Sequence, residues 1–226
     1  MALQERAIRT RQSILAAAAA VFAEVGYEAA TIAEILRRAR VTKGALYFHF
    51  PSKEELARAV LAEHLSAVPQ PPPRELILQE SLDGTFLLAH LLSRGEPLVQ
   101  GGVRLAMDQG RPNDRLERRL PIAGWIERNV ALLSRAKEKG ELLPQVDVAA
   151  AARNRVAVFA GAQVLSKVMT GHADLEERVA DIERHVMASI AVPAVLVRLD
   201  MAPDRGARVY EEAMRLRRRT EAATAG

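Results

Sequence analysis

The chain has 226 residues, 49% of them hydrophobic, so it can bury a substantial core without disulfide or metal support. Its 32 lysine and arginine residues against 28 acidic residues give a net charge of +4, which permits binding to a polyanion without demonstrating it. The absence of cysteine excludes disulfides, thiol nucleophiles and thiolate metal sites. The apolar run 14–23 is too short to span a bilayer and lacks the layout of a signal peptide. We therefore expect a soluble, cytoplasmic protein.

Three helices are predicted at the start of the chain. Apolar residues recur at three- and four-residue spacing up to Val25, and Gly26 stands where a helix would end, which predicts a first helix over about 4–25. Thr31 and Glu34 form a capping box for a second helix that ends near Arg40. A hydroxyl would accept from the first-turn amides while the carboxylate reaches back.

The segment 41–53 reads VTKGALYFHFPSK and predicts the second half of a helix-turn-helix. Thr42 can cap a third helix in which Leu46 packs inward and a cation and polar rings face outward. Such a helix suits the major groove of DNA. Ser52 then begins a second capping box, which opens a fourth helix.

The candidate DNA contacts divide into base readers and phosphate contacts. Lys43 can reach a guanine edge, Gly44 lets the backbone approach the groove, and the Tyr47 hydroxyl suits a phosphate oxygen. Lys53 lies in the first turn of the fourth helix, whose amides also attract anions. Taken singly, these residues have plainer interpretations as surface charge or core packing. The full candidate set is Thr31, Thr42, Lys43, Gly44, Ala45, Tyr47, His49 and Lys53.

The rest of the chain is predicted to be helical, because no run alternates apolar and polar residues between paired turn signals. The fourth helix would end at the proline cluster 69–73. Further helices are expected at about 74–93, 97–109, 121–139, 147–169, 174–189 and 203–219. The fold class is therefore all-α, with an N-terminal three-helix head on a larger helical body.

The stretches TIAEI (31–35) and VTKGALYFHFPSKEEL (41–56) resemble the DNA-binding signature of the tetracycline-repressor (TetR) family. The resemblance implies a helix-turn-helix domain at 1–52 and a ligand-binding and dimerisation domain at 53–226. It also implies a homodimer that represses genes from a pseudo-palindromic operator on double-stranded DNA. The candidate dimerisation helices are Val148 to Met169, rich in small residues, and Leu175 to Ile190.

The body resembles one branch of this family, the γ-butyrolactone and butenolide (avenolide-type) autoregulator receptors of antibiotic-producing filamentous bacteria. The shared segments are RAIRTRQ (6–12), GVRL (102–105), Trp125, KGELLP (139–144), AVP (191–193) and RGAR (205–208). In similar receptors the matching tryptophan stacks over the lactone ring. Trp125 is accordingly the first expected ligand contact, although a tryptophan in a helix is more often simply core.

Further candidate ligand contacts follow from helix faces. His64 and His90 could donate a hydrogen bond to a lactone carbonyl, but lone histidines on apolar helices are more often satisfied core residues. Similar receptors often carry polar amide or hydroxyl groups near the positions of His64 and Ala160. Their absence here leaves room for a relative that senses an antibiotic. The candidates are Trp125, His64, Phe86, His90, Leu105, Val156, Phe159, Ala160 and Gln163.

Three rival classes of function are open. Catalysis is disfavoured because the five histidines form no metal-protease or di-iron motif and no phosphate-cradling glycine pattern appears. No cofactor or metal is expected. A TetR-like repressor of an efflux or pathway gene, sensing an antibiotic or a biosynthetic intermediate, is the nearer alternative. The third class is a DNA-binding module without a ligand.

Overall fold

The computed structural model describes residues 2–108 and 116–224. Over these ranges the chain forms α1 (Ala2–Ala29), α2 (Ile32–Ala39), α3 (Lys43–His49), α4 (Lys53–Glu63), α5 (Ile77–Ser93), α6 (Pro97–Met107), α7 (Arg119–Glu138), α8 (Val148–Thr170), α9 (Leu175–Ile190), α10 (Pro193–Leu196) and α11 (Arg205–Thr224). The β-type pairing found there is an isolated bridge between Leu142 and Ala191. The predicted all-α class is confirmed. None of the helices in these ranges is long and apolar enough to cross a membrane.

The chain divides into two compact units, each described here by itself. Unit 1 comprises residues 1–67 and 95–122, and unit 2 comprises residues 68–94 and 123–226. This division by packing differs from the functional division at residue 52, which stays a proposal. Unit 1 contains α6 in addition to α1–α4, because α6 packs against both α1 and α4.

Unit 1 is built around α1, whose inner face buries Ile14, Leu15 and Phe22. Gly26 interrupts its regular helix with φ +76°, at the position where the sequence predicts the end. Helix α6 lies against α1 so closely that a Cβ at Gly101 would stand 2.4 Å from the Ala19 carbonyl oxygen. The glycine at this position therefore allows two helix backbones to touch.

The three predicted helix starts in unit 1 are confirmed by their caps. The hydroxyls of Thr31, Thr42 and Ser52 accept hydrogen bonds from the amides three residues further on, at 3.2, 3.2 and 3.1 Å. The reciprocal half of the first capping box is wrong, because the Glu34 carboxylate binds Arg37 and Arg38 of its own helix. Those two guanidinium groups lower the pKa of Glu34 to about 2.

Helix α4 ends at Glu63, five residues before the predicted end at Val68. Proline disfavours helical geometry in the residue before it, and the chain leading to Pro69 forms turns over 64–67. Helical spacing predicts that Leu56, Val60, His64 and Val68 share one stripe; the first three are fully buried, whereas Val68, beyond the end of the helix, is half-buried. The short helix α10 was not predicted, since four residues carry too little periodicity to be recognised.

Unit 2 is organised around α5, which contacts α9 and α11. Its N-terminus has no cap from its own sequence, because Leu76 occupies the cap position. The buried Glu141 carboxylate accepts from the amides of Ile77 and Leu78 instead, at 2.9 and 2.8 Å. Helix α8 begins at its cap Asp147 and ends at the left-handed Gly171, both close to the predicted bounds.

Candidate nucleic-acid interface and candidate ligand site

Helix α3 presents one buried and one open face. Leu46 is 0% exposed and fixes the helix to unit 1, as the sequence predicts. Lys43, Gly44 and Tyr47 are exposed, and the Lys43 ammonium lies 5.9 Å from the centre of the Tyr47 ring. The remaining candidates lie at or beside this surface: Thr31 and Thr42 exposed at the two caps, and Ala45 and His49 half-buried.

Phe48 belongs to the same open surface, although the sequence analysis did not select it. Its side chain is 80% exposed, and its ring meets the His49 ring edge-on at 5.0 Å. Its exposure could have been predicted from the spacing, because Phe48 follows the exposed Gly44 by four residues and therefore shares its helix face. It was not selected because aromatic residues are usually expected in the core. An exposed aromatic ring on this face suits apolar contact with a thymine methyl group.

The structure gives Lys53 a different position from that expected of a free phosphate contact. Its ammonium donates to the carbonyl oxygens of Tyr27, Glu28 and Ala30 at 2.8, 3.3 and 3.0 Å, and lies 4.5 Å over the Tyr27 ring. Burial lowers the pKa of Lys53. All three N–H donors of the Lys53 ammonium are therefore used within the protein. Lys53 is accordingly not among the proposed DNA contacts.

The arginines in the last turn of α2 are bound to acidic partners. Arg38 forms a two-pronged pair with Glu24 at 2.5 and 2.6 Å and also contacts Glu34 at 2.7 Å. These hydrogen bonds raise the pKa of Arg38 above its ordinary value. The positive charge of this part of unit 1 is thus largely compensated beside α2, in contrast to the exposed Lys43 on α3.

Two of the candidate ligand residues belong to unit 1. His64 is fully buried, its Nδ1 lies 2.7 Å from the Leu61 carbonyl oxygen, and burial lowers its pKa. A Cβ at Gly102 of α6 would stand 2.2 Å from the His64 Cβ, so the imidazole is packed directly on α6. Leu105 of α6 is also fully buried.

The other candidates belong to unit 2. Trp125 is half-buried on α7, and the Asn129 side chain one turn later donates to its carbonyl oxygen at 2.9 Å. On α8, Val156, Phe159 and Ala160 are half-buried and Gln163 is buried. The half-buried Trp125 and Phe159 combine apolar rings with residual exposure, which is what a wall of a ligand site requires.

His90 and Phe86 are bound into the packing of α5. His90 Nδ1 lies 3.0 Å from the Glu176 carboxylate of α9, and its ring lies 5.6 Å from that of Tyr210 on α11. Phe86 is 1% exposed, and its carbonyl oxygen would stand 2.4 Å from a Cβ at Gly206. His90 thus has the partners of a core histidine, the outcome that is more frequent for a lone histidine.

An apolar surface remains open on α8 and α9. Val158, Leu165, Val168 and Met169 are exposed on α8. A shallow groove there is lined by Val158, Gly161, Ala162, Leu165, Arg178, Asp181 and Ile182. We call this surface the α8–α9 face. Both helices were predicted to serve dimerisation. Within the ranges that the structure describes, no group of three metal-ligating side chains occurs.

Comparison with known proteins agrees with these features along the whole chain. Residues 14–60 match the family model for bacterial regulatory proteins of the tetR family, and residues 78–193 match that for the tetracyclin repressor-like C-terminal domain. The A-factor receptor protein of Streptomyces griseus is 40% identical over 235 residues, which covers 100% of this chain and 82% of that protein.

Solved structures of two further regulators are similar. TylP, a TetR regulator from Streptomyces fradiae, has 59% identity and a TM-score of 0.85, covering 92% of this chain and 99% of its own. CprB of Streptomyces coelicolor, solved in complex with its operator sequence, has 29% identity and a TM-score of 0.70, covering 93% and 98%. The chain therefore belongs to the tetR family of bacterial regulatory proteins, in the branch that contains the A-factor receptor.

Proposed function

We propose that the protein is a transcriptional repressor that binds a pseudo-palindromic operator as a homodimer and is released by a γ-butyrolactone or butenolide signal, thereby controlling antibiotic genes. The observation that carries the proposal is the open face of α3, which sits on a capped helix-turn-helix in a chain 40% identical to the A-factor receptor. A regulator of this kind works in the cytoplasm, on the nucleoid, and needs no catalytic step.

Lys43, Gly44 and Tyr47 supply the proposed reading surface, together with Phe48. Lys43 is the base reader, because its ammonium stands on the exposed first turn of α3. Tyr47 contacts a phosphate oxygen, and Gly44 permits close approach, since nothing lies within 4 Å of a Cβ built there. Thr31 and Thr42, with their helix N-termini, add backbone contacts to the phosphates.

A second copy of the chain completes the operator-binding species. One helix-turn-helix head buries too little DNA for tight specific binding, so two heads must read half-sites about one helical turn apart, ~34 Å, or a multiple of it. The α8–α9 face is the proposed contact, because its exposed valines, leucine and methionine surround the small Gly161 and Ala162. Small residues let two helices approach closely.

The proposed ligand is a small neutral lactone held in the body beside Trp125. An aromatic face provides a flat apolar wall, and Phe159 and Val156 offer further apolar surface on α8. Ligand and operator oppose each other in this scheme. Reciprocity then requires that operator-bound protein bind the lactone more weakly, by the factor by which the lactone weakens operator affinity.

The test is release of operator DNA by defined compounds. Purified protein is bound to its operator duplex, selected from random sequence, and titrated with synthetic γ-butyrolactones, butenolides and polycyclic antibiotics, while Trp125 fluorescence reports binding to the free protein. We expect saturable release by a lactone at submicromolar concentration. Release by the antibiotics alone would assign the protein to the drug-sensing alternative, and release by none would refute ligand control.

The substitution Lys43→Ala tests whether Lys43 recognises the operator sequence. It should weaken binding to the operator by about 1–3 kcal/mol, and binding to a scrambled duplex much less. An equal loss on both duplexes would mean that Lys43 contacts phosphate only.

A further inference from the structure

A cluster of buried polar side chains lies inside unit 2, where α5, α7, α8 and α9 meet. Its centre is Arg155 of α8, which is 3% exposed. Arg155 Nη1 donates to Ser81 Oγ at 2.5 Å and to Asn129 Oδ1 at 3.0 Å. Its Nη2 donates to Thr85 Oγ1 at 3.2 Å and to Glu183 Oε1 at 2.9 Å. We call these five residues the Arg155 cluster.

Two polar atoms of the Arg155 cluster lack a hydrogen-bond partner within the described part of the chain. Arg155 Nε and Glu183 Oε2 are buried and have no hydrogen-bond partner among the residues that the structure describes. One is an obligatory donor and the other an ionised acceptor, and both belong to the same ion pair. A buried polar atom without a partner is costly, so such a pair attracts a small group that satisfies both.

The members of the cluster differ in burial. Arg155, Glu183 and Ser81 are buried, whereas Thr85 and Asn129, which bind Arg155 directly, keep partial exposure. Asn129 also donates to the Trp125 carbonyl oxygen, and Phe159 follows Arg155 by one turn on α8. Trp125 and Phe159, which we propose as the wall of the ligand site, thus each stand one helical turn from a member of the cluster on the same helix.

We propose that the Arg155 cluster is a ligand subsite that binds a hydroxyl group of the lactone, a proposal that rests on the proposed function. A hydroxyl can accept from Arg155 Nε–H and donate to Glu183 Oε2 at the same time. A carbonyl would leave the Glu183 oxygen unsatisfied. A carboxylate would be repelled by Glu183, and an ammonium group by Arg155. The subsite therefore selects neutral ligands with a free hydroxyl over their deoxy analogues.

The experiment compares two probes on the full-length protein: a γ-butyrolactone with a hydroxyl on its side chain, and the same lactone without it. Affinities are measured by calorimetry. For wild type we expect the hydroxylated probe to bind at least about tenfold more tightly, the ratio that one hydrogen bond to charged groups provides. Glu183→Gln should reduce this ratio to about threefold or less, since the amide replaces an ionised acceptor.

Glu183→Gln leaves Arg155 without its counter-ion, so a second variant guards against loss of folding. Arg155→Met combined with Glu183→Met removes both charges at similar volume, a replacement that buried ion pairs often tolerate. It should abolish the preference while retaining the affinity for the deoxy probe. The control is Ser166→Ala on the same helix as Arg155, which removes a hydrogen bond from a buried hydroxyl to Asp174 and should keep the wild-type ratio.

The outcomes separate the two proposals. An equal affinity of wild type for both probes, or a ratio that persists in the double variant, would overturn the subsite and leave the proposed function intact. Absence of binding of either probe to wild type would overturn the lactone function itself and the subsite with it.

Discussion

Lys43 and Lys53 are ten residues apart and carry the same charge, but their surroundings assign them opposite roles. Lys43 stands exposed on α3, whereas the Lys53 ammonium is enclosed by three carbonyl oxygens from the end of α1. A lysine whose donors are all used contributes to folding, and one that faces solvent is available to DNA. The two residues can therefore be separated by experiment.

Lys53→Met should lower the free energy of unfolding by about 1–3 kcal/mol, because it leaves three carbonyl oxygens without their donor. It should leave the salt dependence of DNA binding unchanged. Lys43→Ala, as the matched variant, should leave stability unchanged and alter operator binding. Urea denaturation and binding at several salt concentrations are the measurements. A salt slope lowered by about 1 in Lys53→Met would restore Lys53 as a phosphate contact.

Gly44 offers a second test at the level of one residue. A Cβ there would meet nothing within 4 Å in the free protein, so Gly44→Ala should leave stability unchanged or raise it by up to about 1 kcal/mol. Operator affinity should nevertheless fall tenfold or more, about 1.4 kcal/mol, because a methyl group would meet the groove. Gly124→Ala, equally unobstructed, is the control. Unchanged operator affinity in Gly44→Ala would exclude close approach at this residue.

Among the elements, α5 shows how a helix can depend on a residue far along the chain. Its amides at Ile77 and Leu78 are capped by Glu141, which lies 63 or more positions later. This contact gives the segment 139–144, noted only as a shared feature of similar receptors, a physical role: it brings a carboxylate to the positive end of a helix dipole.

Glu141→Ala should lower the free energy of unfolding by about 2 kcal/mol, because two buried amides lose a charged acceptor. Glu141→Gln keeps one acceptor oxygen and should lose less. The control Glu138→Ala changes an exposed carboxylate nearby and should stay within about 0.5 kcal/mol of wild type. The measurement is chemical denaturation at one fixed protein concentration. Equal stabilities of Glu141→Ala and wild type would show that the Glu141 cap does not stabilise the fold.

Helices α8 and α9 form the proposed dimer contact, which a single substitution can test. Leu165 is 57% exposed on the α8–α9 face, so Leu165→Glu should preserve the protomer fold and abolish the dimer by placing two like charges in an apolar contact. Sedimentation at micromolar concentration measures this, with Leu216→Glu on α11 as the exposed control. A dimer that survives Leu165→Glu would place the contact elsewhere, and a monomeric wild type would remove the dimer altogether.

At the scale of the whole molecule, buried histidines couple stability to pH. Burial lowers the pKa of His64 in unit 1 and of His172 in unit 2, where Lys167 acts in the same direction. Below about pH 6.5, the ordinary value, the unfolded chain therefore binds protons that the folded chain does not. Their contribution to stability is present above that pH and is lost as the pH falls towards the folded-state pKa values.

Wild type should accordingly lose stability between pH 7 and pH 5.5. His64→Gln and His172→Gln should each reduce that loss. Denaturation midpoints across this pH range give the comparison. A wild-type stability that is constant over the range would show that neither histidine is held neutral by the fold.

Most of the helices and the orientation of α3 could be predicted from the sequence, although α10 and the end of α4 could not. Caps at Thr31, Thr42 and Ser52 and the inward-facing Leu46 follow from hydrogen bonds and periodicity within a few residues, so they could be predicted without a fold. The same logic predicted the interruption of α1 at Gly26 and, to within two residues, the end of α8 at Gly171, both glycines with positive φ. Such local interactions depend only on residues that are close together in the sequence.

Which polar groups are already hydrogen-bonded could be seen only in the folded chain. Lys53 is bound to carbonyls 23–26 residues earlier, and Arg155 gathers partners from three other helices up to 74 residues away. The close contact of Gly101 with Ala19 likewise joins distant segments. Helix periodicity states which face is buried but not which face of another helix lies against it, because packing depends on shape at close range. That is why Phe48 and the Arg155 cluster emerged from the structure and not from the sequence.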